Sequence, residues 1–114
     1  MANTFKVKTN GAMPASAGTP LTLYTVPSST TAVGLSITLC NIHTAAVTAS
    51  VQLVSDTSDT ETNETVFLVK DSPIPVGSTL TIPLKQIMQT TDVMKIDCSV
   101  AAKIDVSLSI MEIT

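Results

Sequence analysis

Cys40-Asn41-Ile42-His43 holds two metal-capable side chains at ligand spacing. A thiolate and an imidazole two residues apart suit zinc, and Cys98 offers a third donor. Structural zinc takes four ligands, and the sequence offers no evident fourth. His43, the sole histidine, also lacks a sequence partner of the Ser-His-Asp or Cys-His kind. The simpler reading makes Cys40 and Cys98 small packing residues and His43 a loop residue.

Asp56, Asp59, Glu61 and Glu64 crowd a second stretch. Calcium loops converge such oxygens by fixed spacing around a glycine turn. Neither the spacing nor the glycine is present, so the stretch reads as a solvated loop tip whose charges discourage strand pairing. Asn63-Glu64-Thr65 has the form of a glycosylation sequon, which has meaning only on a secretory route. No carboxylate pair sits where one partner would be pushed toward acid–base work. Phosphate-loop, dinucleotide and HExxH patterns are missing. The expectation is therefore no catalytic, cofactor-binding or metal-binding residue, and no cofactor.

Composition says what the residues do instead. The 114 residues suit one domain. Hydrophobic residues make up 44% and charged residues 13%, about half the usual charged share. Mean hydropathy is +0.40. Ser and Thr fill roughly a quarter of the chain, and Val, Ile and Leu supply most of the apolar bulk. β-Branched side chains lose χ1 freedom in helices and pack well on pleated sheets, so strands are favoured. A surface of Thr, Ser and Ala loses little on desolvation, which suits lasting contact with neighbours. The net charge of -3 and the absence of Arg argue against a nucleic-acid partner. No apolar run is long enough for a membrane helix. The first residues lack the charged-then-apolar pattern of a signal peptide, so a cytoplasmic product with reduced cysteines is expected.

Hydrophobic periodicity places the strands. Phe5 and Val7 alternate with Lys6 and Lys8, then Asn10 to Pro20 reads as a Gly- and Pro-marked linker. Residues 1–20 are therefore expected as an N-terminal arm and linker, and residues 21–114 as the domain. Val33, Leu35, Ile37 and Leu39 form the cleanest period-two run, repeated by Val47, Ala49, Val51 and Leu53. A further strand ends before Pro73. Pro83 marks Leu80–Leu84 as an edge strand. Residues 85–91 have room for one helical turn. Ile104, Val106, Leu108 and Ile110 face one way, and Met111 and Ile113 break that phase, which suggests a bulge or burial on both sides. The fold class expected is all-β: one β-sandwich or jelly-roll-like domain of about seven to eight antiparallel strands. Val33, Leu35, Ile37, Leu39, Val51, Leu53, Ile104, Val106 and Leu108 are its expected core.

Leu23-Tyr24-Thr25-Val26-Pro27, Thr30-Thr31-Ala32-Val33 and Leu68-Val69-Lys70-Asp71-Ser72-Pro73-Ile74-Pro75-Val76-Gly77-Ser78 resemble small virion structural proteins of tailed bacteriophages. The ending Leu108-Ser109-Ile110-Met111-Glu112-Ile113-Thr114 is similar to that family's closing strand. The likeness runs from about residue 21 to the end. One departure is Gln89-Thr90-Thr91-Asp92, where the family has a Gly-Asp turn. The resemblance implies a virion location, made in the host cytoplasm, with the capsid surface favoured. It also implies a capsid decoration or cement role, a homotrimer, and contact with the major capsid protein or other virion proteins. A tail, neck or fibre component is the alternative. A carbohydrate-binding module is disfavoured, because sugar platforms need aromatics and these are 3% of the chain. Phe5, Val7, Met13 and Pro14 are the candidate interaction residues. Phe5 and Val7 have two possible destinations: a neighbouring chain, by strand addition, or their own sandwich.

If packing is the whole role of the cysteines, replacing Cys40 and Cys98 with Ala costs roughly 1–3 kcal/mol. Chelator and reductant then leave the denaturation midpoint of the wild-type chain unchanged.

Overall fold

A computed structural model describes residues 2–56 and 63–114. Eight strands follow one another: β1 (Asn3–Met13), β2 (Leu21–Thr25), β3 (Thr31–Asn41), β4 (Val47–Val54), β5 (Thr65–Ile74), β6 (Thr79–Met88), β7 (Val93–Cys98) and β8 (Ile104–Ile113). They form two four-stranded sheets, ordered β1-β8-β3-β6 and β2-β7-β4-β5. All pairings are antiparallel. First pairs with last, β2 with β7, β3 with β6 and β4 with β5. The chain is thus one long antiparallel ribbon, rolled so that β8 also meets β3 and β7 also meets β4. This is a jelly roll. The sheets enclose a core of Ile37, Leu39, Val51, Met94, Ile96, Ile104, Leu108 and Ile110, all essentially inaccessible to water.

The N-terminal stretch divides. Asn3–Met13 is β1, in continuous register with β8 from Asn3 to Asn10, and residues 14–20 link it to β2. Phe5 and Val7 therefore lie on their own sandwich in this chain.

Seven of the nine expected core residues are buried, and two are not. Val33 is only half-buried and Leu35 is 39% exposed, while Ala32 and Gly34 point inward. The cause is a bulge in β3. Gly34 faces Ile110 and Ser36 faces Ser109, so Leu35 is an extra residue without a partner on β8. One unpaired residue inverts the side-chain alternation on either side of it. Gly34 suits the inward place, since a Cβ there would stand 3.2 Å from Leu84 Cδ1 and 3.5 Å from Met88 Cε.

Three further expectations need correction. Residues 85–88 continue β6 instead of turning into a helix, because Gln86, Ile87 and Met88 pair with Gly34, Val33 and Ala32. The helical turn is replaced by a tight turn, in which Asp92 N–H donates to the Gln89 carbonyl at 3.0 Å. Thr91 takes the left-handed backbone there, at φ 72°, in place of glycine. The Asp92 carboxylate holds the turn by accepting from the N–H groups of Gln89 (2.9 Å) and Asp56 (2.8 Å). β5 does not stop before Pro73 but runs to Ile74. It is an edge strand, where a missing N–H on the open side costs nothing. Finally, β8 has no bulge of its own near Met111; its alternation continues, and the inward place at position 112 holds a glutamate.

Truncation on the two sides of the bulge separates these phases. Ile37→Ala should cost about 2–5 kcal/mol in urea unfolding, and Leu35→Ala less than about 1 kcal/mol. Asp92→Ala strips the turn of two charge-assisted bonds and should cost about 2–3 kcal/mol.

Candidate interaction surface

Cys40 lies half-buried on β3, and Cys98 is buried on β7 of the opposite sheet. The fold therefore sets the third donor, Cys98, on the sheet opposite Cys40. His43 gives its backbone N–H to Asn41 Oδ1 at 2.7 Å. Asn41 in turn donates from Nδ2 to the carbonyls of Ala45 and Ile74, so this segment is a loop organised by an asparagine. Among the described residues no three His, Cys, Asp or Glu side chains converge on a metal position. Of the four acids in the long loop, Asp59 and Glu61 lie outside the described residues.

What the fold does build is two faces of unlike character. On the outer face of the first sheet, register places Phe5 opposite Met111, Met111 opposite Val33, and Val33 opposite Ile87. This is one apolar row across all four strands. Three inter-strand gaps make it about 14 Å long. Phe5 is 73% and Ile87 64% exposed. The next rows are Val7, Ser109, Ser36 and Pro83, then Thr9, Ser107, Thr38 and Thr81. A shallow hollow of about 410 Å³ continues them, bordered by Thr38, Cys40, Asp105 and Ser107. Among the described residues, charge enters this face only at Asp105 and at Lys85, the latter on a positive-φ residue of β6.

The outer face of the second sheet is different. Its rows hold Thr22, Lys95, Gln52 and Phe67, and then Asp97 and Ser50, with Asp71 hydrogen-bonded to Ser50. Lys70 lies 5.0 Å from the centre of the Phe67 ring and covers it with a cation. The second face thus carries Lys70, Asp71, Lys95 and Asp97, whereas the first carries only Lys85 and Asp105, one charge of each sign.

Of the four candidate contact residues, Phe5 and Val7 are exposed on the neutral face. Met13 and Pro14 are buried in their own fold, so in this conformation they carry packing and not contact. Sequence reasoning missed Val33, Met111 and Ile87. Val33 was assigned to the core because its alternation with Ile37 looks unbroken in sequence.

A polar cluster around the buried Glu112 secures β1 and thereby holds Phe5 in the row. Glu112 projects inward from β8 and is 4% exposed. Lys6 Nζ of β1 pairs with Glu112 Oε1 at 2.8 Å, and the Tyr24 hydroxyl of β2 donates to Oε2 at 2.5 Å. Lys8 lies 5.8 Å from the Tyr24 ring centre. The Lys6 ammonium, and then the Tyr24 hydroxyl, hold the Glu112 carboxyl below its ordinary range, against the opposing effect of burial. Burial first, and then the bond to Glu112, pushes the Tyr24 hydroxyl well above its ordinary value.

No family model matches this sequence, and no curated protein does. Among solved structures, a chain in the structure of infectious bursal disease virus, Gx strain, is similar. The TM-score is 0.56 and the identity 15%, over 96% of this chain and 33% of that one. This chain therefore spans about a third of the length of that neighbour. At such identity the likeness is one of fold.

The cluster sets an acid limit. A folded pKa below the unfolded one gives stability that is complete above the ordinary value near 4.5 and is lost as pH falls through the folded value. The wild-type melting temperature should accordingly drop more steeply than that of Glu112→Gln as pH falls from about 5 to about 2. The tyrosine has the opposite sign, so its contribution is intact below pH ~10. At pH 7, Tyr24→Phe should cost about 1.5–3 kcal/mol, since it leaves a buried carboxylate short of one donor.

Proposed function

We propose that this chain is a non-enzymatic virion structural protein that works by packing its neutral sheet face against neighbouring subunits. The observation that carries this reading is the apolar row Phe5–Met111–Val33–Ile87, set in a hydroxyl-lined field almost free of charge. The likeness of the fold to a chain in a virus structure supports it. So does the sequence resemblance to small virion proteins of tailed bacteriophages.

Magnitudes favour assembly in many copies. Val33 and Met111 are already part-buried, so covering this row contributes less than the roughly 6–12 kcal/mol of four fully exposed side chains. Immobilising one protein on another costs an estimated ~4–15 kcal/mol. One row alone makes a weak contact; repeated around a closed array, it makes a lasting one. A capsid decoration protein, bound as a homotrimer over junctions of the major capsid protein, uses surfaces in this way. The contact residues we assign are Phe5, Val7 and Ile87. The aromatics do not assemble a sugar platform: Tyr24 is buried, and Phe5 and Phe67 lie on opposite outer faces.

A density map of purified particles tests the reading directly. The expected result is this sandwich on the outer capsid in threefold clusters. Density on the tail or neck would replace the decoration role with an attachment role, and absence from particles would end the virion reading. Ile87→Lys should leave the melting temperature within a few degrees of wild type, because the side chain is exposed. Its occupancy on particles, measured by quantitative gel analysis, should fall severalfold.

A further inference from the structure

We propose that the open edge of β1 is a docking site for an extended acidic–apolar segment of a partner protein, bound by strand addition. Four strands lie at sheet edges: β1, β6, β2 and β5. Three of them are blunted. β6 carries Pro83 and a positive-φ Lys85, and β5 carries Pro73 and a positive-φ Asp71. β2 has only five residues and an irregular register. Proline, bulges, shortness and inward-pointing lysines are the ordinary means of closing an edge. From Asn3 to Asn10 β1 uses only the last, through Lys6 and Lys8, with its register on β8 unbroken, so this edge is closed to like strands and open to one that brings carboxylates.

The ladder shows which groups are open. Ala2 and Thr114 exchange both backbone hydrogen bonds, at 2.9 and 3.0 Å. Antiparallel pairs alternate, so Thr4, Lys6 and Lys8 also bond β8, while Asn3, Phe5, Val7 and Thr9 turn their N–H and C=O groups away from it. Among the described residues no strand lies beyond β1. An added strand would therefore bond Phe5, Val7 and Thr9, and its outward side chains would extend the apolar row.

Charge selects the occupant. The inward places of β1 hold Lys6 and Lys8. Lys6 is paired with Glu112, whereas Lys8 has no ion pair among the described residues. A segment with carboxylates at its inward places and apolar residues between them matches both faces. A second copy of β1 does not. An antiparallel two-fold pairing centred on Lys6, Val7 or Lys8 sets lysine opposite lysine, which is unfavourable. The partner's identity rests on the virion reading; the edge chemistry does not.

The test uses the full chain and a capped heptapeptide, Thr-Val-Glu-Val-Glu-Val-Thr, with a lysine-for-glutamate peptide as control. Amide hydrogen exchange is read by NMR. The expected result is slowing of about tenfold or more at Phe5, Val7 and Thr9 under saturating glutamate peptide, with Lys6 and Lys8 amides already protected. The glutamate peptide should bind about two- to fivefold tighter than the lysine peptide, and Lys8→Glu should reverse that preference. Val7→Pro removes an open N–H that β8 does not use, and should abolish the slowing while the core methyl spectrum persists. Equal binding of both peptides, binding without slowing at these three amides, or protection of them in the protein alone would each overturn the proposal. Particles play no part in this measurement, so its failure and the failure of the virion reading are distinguishable.

Discussion

Side-chain direction along a strand has a period of two, and one unpaired residue shifts everything beyond it to the other face. Leu35 is that residue in the central strand β3. After it, Ile37 and Leu39 point inward and meet Leu108 and Val106 of β8. Before it, Ala32 and Gly34 point inward and Val33 outward. The small inward pair leaves room for Leu84 and Met88 to reach across. The displaced Val33 completes the row between Met111 and Ile87. Without the bulge the core would hold a different set, and the outer row would be broken at its middle.

The same economy governs charge. With 13% charged residues, the chain has few to place. Glu112 is buried at the end of the sandwich where β1 and β2 come together, and it is answered by one lysine and one tyrosine. A buried carboxylate is costly unless it is paired and hydrogen-bonded, and removal of either donor leaves a penalty behind. That makes the cluster a specific closure between β1, β8 and β2. Nearly all remaining charge lies on the second sheet, at the edges or in the loops. The first sheet is left as a neutral plane flanked by an open strand, β1, and a blunted one, β6. Face and open edge meet at Phe5 and Val7. A partner seated there would touch side chains on one and backbone on the other.

Much of the fold was legible in the sequence. Alternating apolar residues at 47–53 and 104–110, and the prolines and glycines between the strands, follow from local chemistry: pleat geometry and backbone freedom. They were enough for strand number, fold class and most of the core. Pro83 identified an edge correctly, since proline cannot donate to a ladder. Phe5 and Val7 were visible as an extended segment because they alternate with Lys6 and Lys8.

Tertiary structure alone decided the rest. The bulge at Leu35 has one local hint, the glycine at 34 within a strand pattern, but the apolar alternation of Val33, Leu35 and Ile37 runs on without fault; the shift is fixed by the register that β8 and β6 impose together. Position 112 looks like an exposed acid until Tyr24, 88 residues away in sequence, supplies its donor. Cys40 and Cys98 look like possible co-ligands until the sheets set them apart. The apolar row is a property of four strands from four parts of the chain, and no window of sequence contains it. Local sequence determines which residues can form a strand; which face they show depends on pairing partners brought from a distance.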